Sequence, residues 1–175
     1  MADALPVVPH MAGELYLWIW WLSDIQGGQI DIGGDVGRVE LFVDERLAFR
    51  APQETKVSAV LTGERASDSV ESRAAVWGGK VLQEVRLRIV RDDRQFLVTL
   101  KGPEVHLTGL KLPQALKDSQ EEAIYDRMFL YEELCFVVGG LLRDFAQLRT
   151  SSAWEADVVP RIKAWVGERP LGGEE

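Results

Sequence analysis

The residues best placed to do chemistry in this sequence are basic side chains on a predicted β-hairpin. Residues 80–101 read KVLQEVRLRIVRDDRQFLVTLK, in which the apolar residues Val85, Leu87 and Ile89 alternate with charged ones. This period of two predicts two strands joined by a polar turn at residues 91–94, with one face of the hairpin in the core. The basic side chains of the hairpin form our candidate site: Lys80, Arg86, Arg88, Arg91, Arg94 and Lys101.

These side chains favour contact with phosphate groups rather than catalysis. A guanidinium is always charged in proteins and can bond two oxygen atoms at once. Arg86 and Arg88 share one face of their strand, and we expect the turn to place Arg91 and Arg94 beside them. A second interpretation stays open, because Glu84 shares that face and the turn contains two aspartates. The charges would then pair with one another and leave only a solvated surface.

Residue types that catalyse reactions or bind metals are sparse in this chain. His10 and His106 are far apart in sequence and lack a serine or cysteine nucleophile motif. Three acidic side chains share a predicted helix face, namely Glu122, Asp126 and Glu133. A carboxylate-bridged metal site also needs a histidine one turn away, so we expect a solvated face there. The glycines between residues 27 and 37 fit neither a P-loop nor a dinucleotide motif. We therefore predict a non-enzymatic protein with no metal and no cofactor.

Alternation and turn signals along the chain predict a β-rich region at residues 28–112. Further strands are predicted at residues 29–32, 38–43, 46–49, 56–62 and 105–111. Asp44 and Glu45 predict a turn inside this series. Residues 15–22 are apolar throughout and rich in tryptophan, which suits a strand, but Leu15, Trp18 and Leu22 have helical spacing, and we favour the helix.

Helices are predicted mainly at residues 114–167. A short helix at residues 69–77, capped by Ser69 or Ser72 and closed by Gly78, lies within the β-rich part. From Glu121, apolar residues recur at helical spacing as a single stripe for about seven turns. Gly139 and Gly140 interrupt this helix, and we expect a neighbouring backbone or a partner helix to pack there. The fold prediction is one α+β domain over residues 1–175, with a mixed or antiparallel sheet packed by C-terminal helices.

Charge and composition exclude some classes of function. The chain has 175 residues, of which 46% are hydrophobic, enough for one domain with a core. A net charge of −8 argues against a generic nucleic-acid binder and against an anionic membrane surface. Residues 38–111, however, carry 13 basic and 11 acidic side chains, while both ends are acidic. The lone Cys135 excludes an intramolecular disulfide and indicates a reducing, cytoplasmic context, and residues 15–22 are too short to span a bilayer.

Several short stretches, in this order, resemble the C-terminal half of the recombination-associated protein RdgC family. The matching features are LPVVP at residues 5–9, Glu71 followed by Gly79-Lys80-Val81, the hairpin VRLRIVRDDRQFLVTLKG, Leu110-Lys111-Leu112, and the helix that begins at Tyr125-Asp126-Arg127-Met128. The resemblance covers residues 4–148. Proteins of that family bind DNA with little sequence preference, form a ring-shaped dimer around the duplex, and restrain the RecA recombinase.

This resemblance implies a homodimeric DNA-binding protein of the nucleoid that contacts the phosphate backbone and acts in the RecA pathway. Lys80 matches the Gly-Lys of the family, and Arg86 and Arg88 are carried over by their charge and strand position. The family chain is longer, and its N-terminal part, which would help complete the ring, is missing here. Some members are called exonucleases, but this sequence has no metal-binding acidic motif that supports nuclease chemistry.

Two functions of other classes remain open at this point. The first is a protein-interaction module, such as an immunity protein or a complex subunit, whose acidic ends meet a basic partner. The second is a small-molecule binder or enzyme with a pocket lined by Trp18, Trp20 and Trp21.

Overall fold

Helices flank a six-stranded antiparallel sheet in the part of the chain that the computed structural model describes, residues 11–51, 59–63, 67, 69–114 and 120–167. The helices are α1 (Met11–Ile25), α2 (Val70–Trp77), α3 (Gln120–Thr150) and α4 (Val159–Gly167). The strands are β1 (Gln29–Ile32), β2 (Gly37–Arg50), β3 (Ala59–Thr62), β4 (Val81–Arg91), β5 (Arg94–Lys101) and β6 (His106–Lys111). A π-helical turn, Trp154–Val158, leads directly into α4.

Every strand pairing in the sheet is antiparallel, in the order β1-β2-β4-β5-β6. Strands β1 and β3 pair with different parts of β2, on the edge opposite β4. The predicted α+β class and the packing of C-terminal helices on the sheet are confirmed. The N-terminal helix α1 packs against the sheet as well, which confirms the helix expected at residues 15–22.

The turn predicted at Asp44 and Glu45 is wrong, because β2 continues through both residues to Arg50. A register shift between Val43 and Leu47 takes up the extra residues of β2 against β4. The C-terminal part of β2, residues 46–49, also pairs with β3. The strand predicted at residues 56–62 is confirmed for β3, while residues 56–58 lie outside the described part.

The hairpin of β4 and β5 is confirmed, with Arg91 opposite Arg94 at its end. Asp92 and Asp93 form its two-residue turn, with φ angles of 49° and 62°. Two successive left-handed residues are typical of a type I′ turn, whose twist matches that of the strands, and aspartate tolerates this conformation. The short helix α2 is also confirmed, because the Ser69 hydroxyl accepts from the Ser72 backbone N–H at 3.1 Å.

The core lies between the helices and one face of the sheet. Val85, Leu87 and Ile89 of β4 are fully buried there. Aromatic side chains join the helices to one another: Trp18 lies 5.6 Å from Phe145, and Trp20 lies edge-on to Trp165 at 4.9 Å, between ring centroids. Such pairs add stability beyond the burial of their area.

The two adjacent glycines of α3 differ in their surroundings. A Cβ atom on Gly140 would lie 2.6 Å from the Ile32 side chain and 2.9 Å from that of Val36, whereas one on Gly139 would meet nothing within 4 Å. Gly140 is thus closely packed, but against side chains of β1 and of the turn after it rather than against the backbone or partner helix that was expected. Within the described ranges, no helix combines the length and the apolar character that a membrane crossing requires.

Candidate functional site

The structure separates the predicted basic residues onto the two sides of the sheet. Arg86 and Arg88 lie on the face opposite the core. Arg91 and Arg94 instead reach the helix side, where both contact Glu133 of α3. The expected placement of all four side by side is wrong. Side chains alternate along a strand with period two, and Arg91 is an odd number of residues from Arg88.

On the helix side, Glu133 holds the end of the hairpin. Its carboxylate is buried, and Oε1 lies 3.0 Å from Arg94 Nη2 and 3.8 Å from Arg91 Nη1. Asp92 in the turn lies within 4 Å of both arginines. These two guanidiniums therefore have acidic partners inside the molecule and join β4 and β5 to α3.

On the opposite face, ion pairs also engage the predicted cations. Arg88 Nε donates to Asp44 Oδ2 at 2.8 Å, and its guanidinium lies 4.4 Å from the centroid of the Phe42 ring. Lys101 Nζ lies 3.8 Å from the buried Glu84, which also accepts a hydrogen bond from Arg46. Charge pairing, the second interpretation of the hairpin, is thus observed for Arg88, Arg91, Arg94 and Lys101.

The face that carries Arg86 nevertheless keeps an excess of basic side chains among the described residues. Strand register and ion pairing place on it six basic residues, Arg38, Arg46, Arg86, Arg88, Lys101 and Lys111. The same criteria place on it four acidic residues, Asp31, Glu40, Asp44 and Glu84. Lys80 lies just before β4, half-buried, and its backbone N–H donates to the Ala75 carbonyl at 2.9 Å.

Histidine and carboxylate positions support no metal centre in the described part of the chain, where no cluster of three or more candidate ligands occurs. His106 is exposed, with Nε2 3.3 Å from a carboxylate oxygen of Glu104. His10 lies outside the described residues. Tyr16 donates to the Gly102 carbonyl at 2.6 Å, and burial, with a smaller contribution from Glu84, raises the pKa of Tyr16 to about 12. That pKa is far above the range suited to acid–base catalysis at neutral pH.

A polar cleft of about 280 Å³ lies between the C-terminal end of α1 and strands β2 and β4. Its lining includes Trp20, Asp24, Asp44 and Arg88. Both carboxylates are already bound within the protein, Asp44 by Arg88 and Asp24 by Arg73 at 3.0 Å. The three tryptophans considered as a pocket lining, Trp18, Trp20 and Trp21, are all buried in the core, and Trp20 is the one of them that borders this cleft.

Six of the twelve large apolar side chains that are exposed in the described ranges lie on α3, whose apolar residues were predicted from the sequence as one helical stripe. The structure divides that stripe into two. The core-facing residues are Leu130, Leu134, Val137, Val138, Leu141 and Phe145. On the opposite side, six large side chains are 44% to 63% exposed: Ile124, Tyr125, Met128, Phe129, Tyr131 and Phe136. We call these six residues the outer face of α3. Apolar residues on two sides of one helix were the sequence signal for it.

Comparison of the chain with protein-family models, with curated proteins and with solved structures found no match. Fold and surfaces together define a class: an α+β protein with one antiparallel sheet, an internally paired basic hairpin and an apolar helix face open to solvent. Membership of the RdgC family stays a prediction.

Proposed function

We propose that this protein is a non-enzymatic interaction domain that docks another polypeptide on the outer face of α3. The observation that carries this function is the grouping of six large, half-exposed apolar side chains within 13 residues of one helix. Isolated exposed apolar residues are ordinary, but a contiguous patch marks an interaction site. The basic hairpin is a weaker candidate, because acidic neighbours already neutralise most of its charge.

The size of the outer face suits a specific interface. Large apolar and aromatic side chains have roughly 150–250 Å² to bury, so six that are about half exposed present on the order of 600 Å². This apolar area is at the upper end of the range for the largest apolar patch on a monomeric protein. It is also near the roughly 800 Å² that each partner contributes to a standard interface. At about 25 cal/mol per Å², covering the face gives roughly 15 kcal/mol before the cost of association.

A photo-crosslinking amino acid, benzoylphenylalanine, tests this function when it replaces Phe129 in the cells that produce the protein. We expect one discrete covalent adduct with a polypeptide, identified by mass spectrometry. Replacing Ile124 and Met128 by serine should reduce that adduct by at least about tenfold, because each buried side chain contributes roughly 1.5–3 kcal/mol. The control places the same group at Glu104, which is exposed on the β5–β6 turn. Equal adduct yields at the two positions would contradict the proposed function.

A second candidate function is supported by the basic excess on the sheet face that carries Arg86. As the resemblance to the RdgC family implies, this face would contact the phosphate backbone of DNA, in the nucleoid and during RecA-dependent recombination. The acidic side chains on the face compete with phosphate for the same cations. Binding should therefore be weak and steeply dependent on salt.

Fluorescence anisotropy of a short labelled duplex across a salt series tests DNA binding. Each lost phosphate contact lowers the slope of log affinity against log salt by about 0.9, and we expect that change from Lys101→Glu. Lys163→Glu changes the net charge equally but lies on α4, so its slope should match that of the wild type. Identical slopes for both variants, or no binding at low salt, would remove the sheet face from the function.

A further inference from the structure

Acidic side chains accompany the apolar residues of the outer face. Glu132 is exposed and lies between the two apolar rows of the face, one turn from Met128 and Phe129. Its neighbour Glu133 is neutralised by two arginines, whereas Glu132 has no ion pair within the described residues. Between residues 120 and 142, Arg127 is the one basic residue against five acidic ones. An occupant of this face must therefore accommodate a negative charge within an otherwise apolar contact.

A second copy of this chain fits that requirement poorly. The face runs from Ile124 to Phe136, so Glu132 lies about 3 Å along the helix axis from its middle, at 1.5 Å per residue. A two-fold axis through the face pairs the same patch on both copies. In such a pair of α3 helices, the two Glu132 residues would lie about 6 Å apart along the direction of the helix axes. The helix axes themselves would be about 8–10 Å apart. Two uncompensated like charges in a desolvated interface oppose association.

We infer that the occupant of the outer face is an amphipathic helix whose apolar side carries a lysine or arginine opposite Glu132. This inference rests on the proposed interaction function and names the chemistry of its partner. The face is about 18 Å long, which an apolar stripe of roughly 12–15 helical residues covers. Apolar anchors at helical spacing would pack between the two rows of α3. A basic residue near the middle, with further basic residues on the flanks, completes the charge complementarity.

Two matched synthetic peptides test this partner chemistry on the intact protein. One is an amphipathic helix with leucine at i, i+3, i+4 and i+7 spacing and lysine at one central and several flanking positions. The other carries glutamate wherever the first carries lysine. Anisotropy of the labelled peptides should show at least about tenfold tighter binding of the lysine peptide to the wild-type protein. Glu132→Lys should reverse this preference, and Phe129→Ser should abolish binding of both peptides.

Glu104→Lys is the control, because it makes the same change in net charge at an exposed site on the β5–β6 turn; the preference for the lysine peptide should persist in it. Sedimentation of the wild-type protein separates failure of the inference from failure of the proposed function. A dimer that Phe129→Ser dissociates would keep the interaction function and overturn the basic partner. Lysine-peptide binding that neither Phe129→Ser nor Glu132→Lys weakens would overturn both.

Discussion

Replacing Gly28 with alanine is expected to lower the free energy of unfolding by about 3 kcal/mol, the largest single-site effect that we predict. Gly28 follows α1 with φ at +81°, a conformation that is costly for any residue with a Cβ atom. A Cβ atom at this position would lie 2.1 Å from the Phe42 ring. The ring must then move away from its contact with the Arg88 guanidinium, so backbone strain and overpacking add.

Gly27 provides a matched control for this substitution. It lies in the same turn, with φ at +58°, but a Cβ atom there would meet nothing within 4 Å. Gly27→Ala should therefore cost only about 1 kcal/mol, from the backbone conformation alone. Urea unfolding followed by tryptophan fluorescence measures both variants, and the melting temperature of Gly28→Ala should fall by roughly 6–12 °C. Equal losses of unfolding free energy for the two variants would contradict this prediction, because they would show that the Phe42 ring can move aside without cost.

Replacing Glu133 with alanine is expected to cost about 2–3 kcal/mol, because its buried carboxylate is the shared partner of Arg91 and Arg94. Loss of one partner of a buried ion pair leaves the remaining charges incompletely compensated. Here the two guanidiniums retain some access to solvent, at 22% and 33% side-chain exposure, which keeps the cost below that of full burial. The end of the hairpin should also loosen from α3, so its backbone amides should exchange hydrogen faster.

Glu132→Ala is the control for this loss, because it removes the same group from the next residue, where it is exposed. Its effect on the free energy of unfolding should stay within about 0.5 kcal/mol. A Glu133 variant as stable as the wild type would show that the observed ion pairs contribute no net stability.

The elements that the sequence predicted well are those whose signal is local. The β4–β5 hairpin follows from residues that alternate on either side of a two-residue polar turn. Helix α2 follows from its capping serine and closing glycine. The turn expected at Asp44 failed because turn composition competes there with sheet pairing, and β2 gains strands on both edges by continuing. Long-range pairing of this kind is absent from any short window of sequence.

Candidate sites depend on such long-range contacts even more strongly. The charge and approximate position of each basic residue could be read from the sequence. Their partners could not: Asp44 is 44 residues away from Arg88, and Glu133 is 39 residues away from Arg94. Whether an arginine is available to phosphate depends on those partners. Strand alternation, which can be read from the sequence, divides the cations between the two faces of the hairpin. The ion pairs that engage Arg88, Arg91, Arg94 and Lys101 depend on the tertiary structure.

The sequence by itself determined the α+β class, the hairpin and the existence of a long apolar helix, because backbone periodicity and turn chemistry act over a few residues. Only the tertiary structure decided which side of α3 is buried, since a helix with apolar residues on two sides can present either one to the sheet. Gly139 and Gly140 show the same difference between what the sequence determines and what the tertiary structure decides. They are identical neighbours in sequence, yet only Gly140 packs against Ile32, from more than 100 residues earlier in the chain. Burial is a property of the packed chain, and here it leaves the outer face of α3 exposed to solvent.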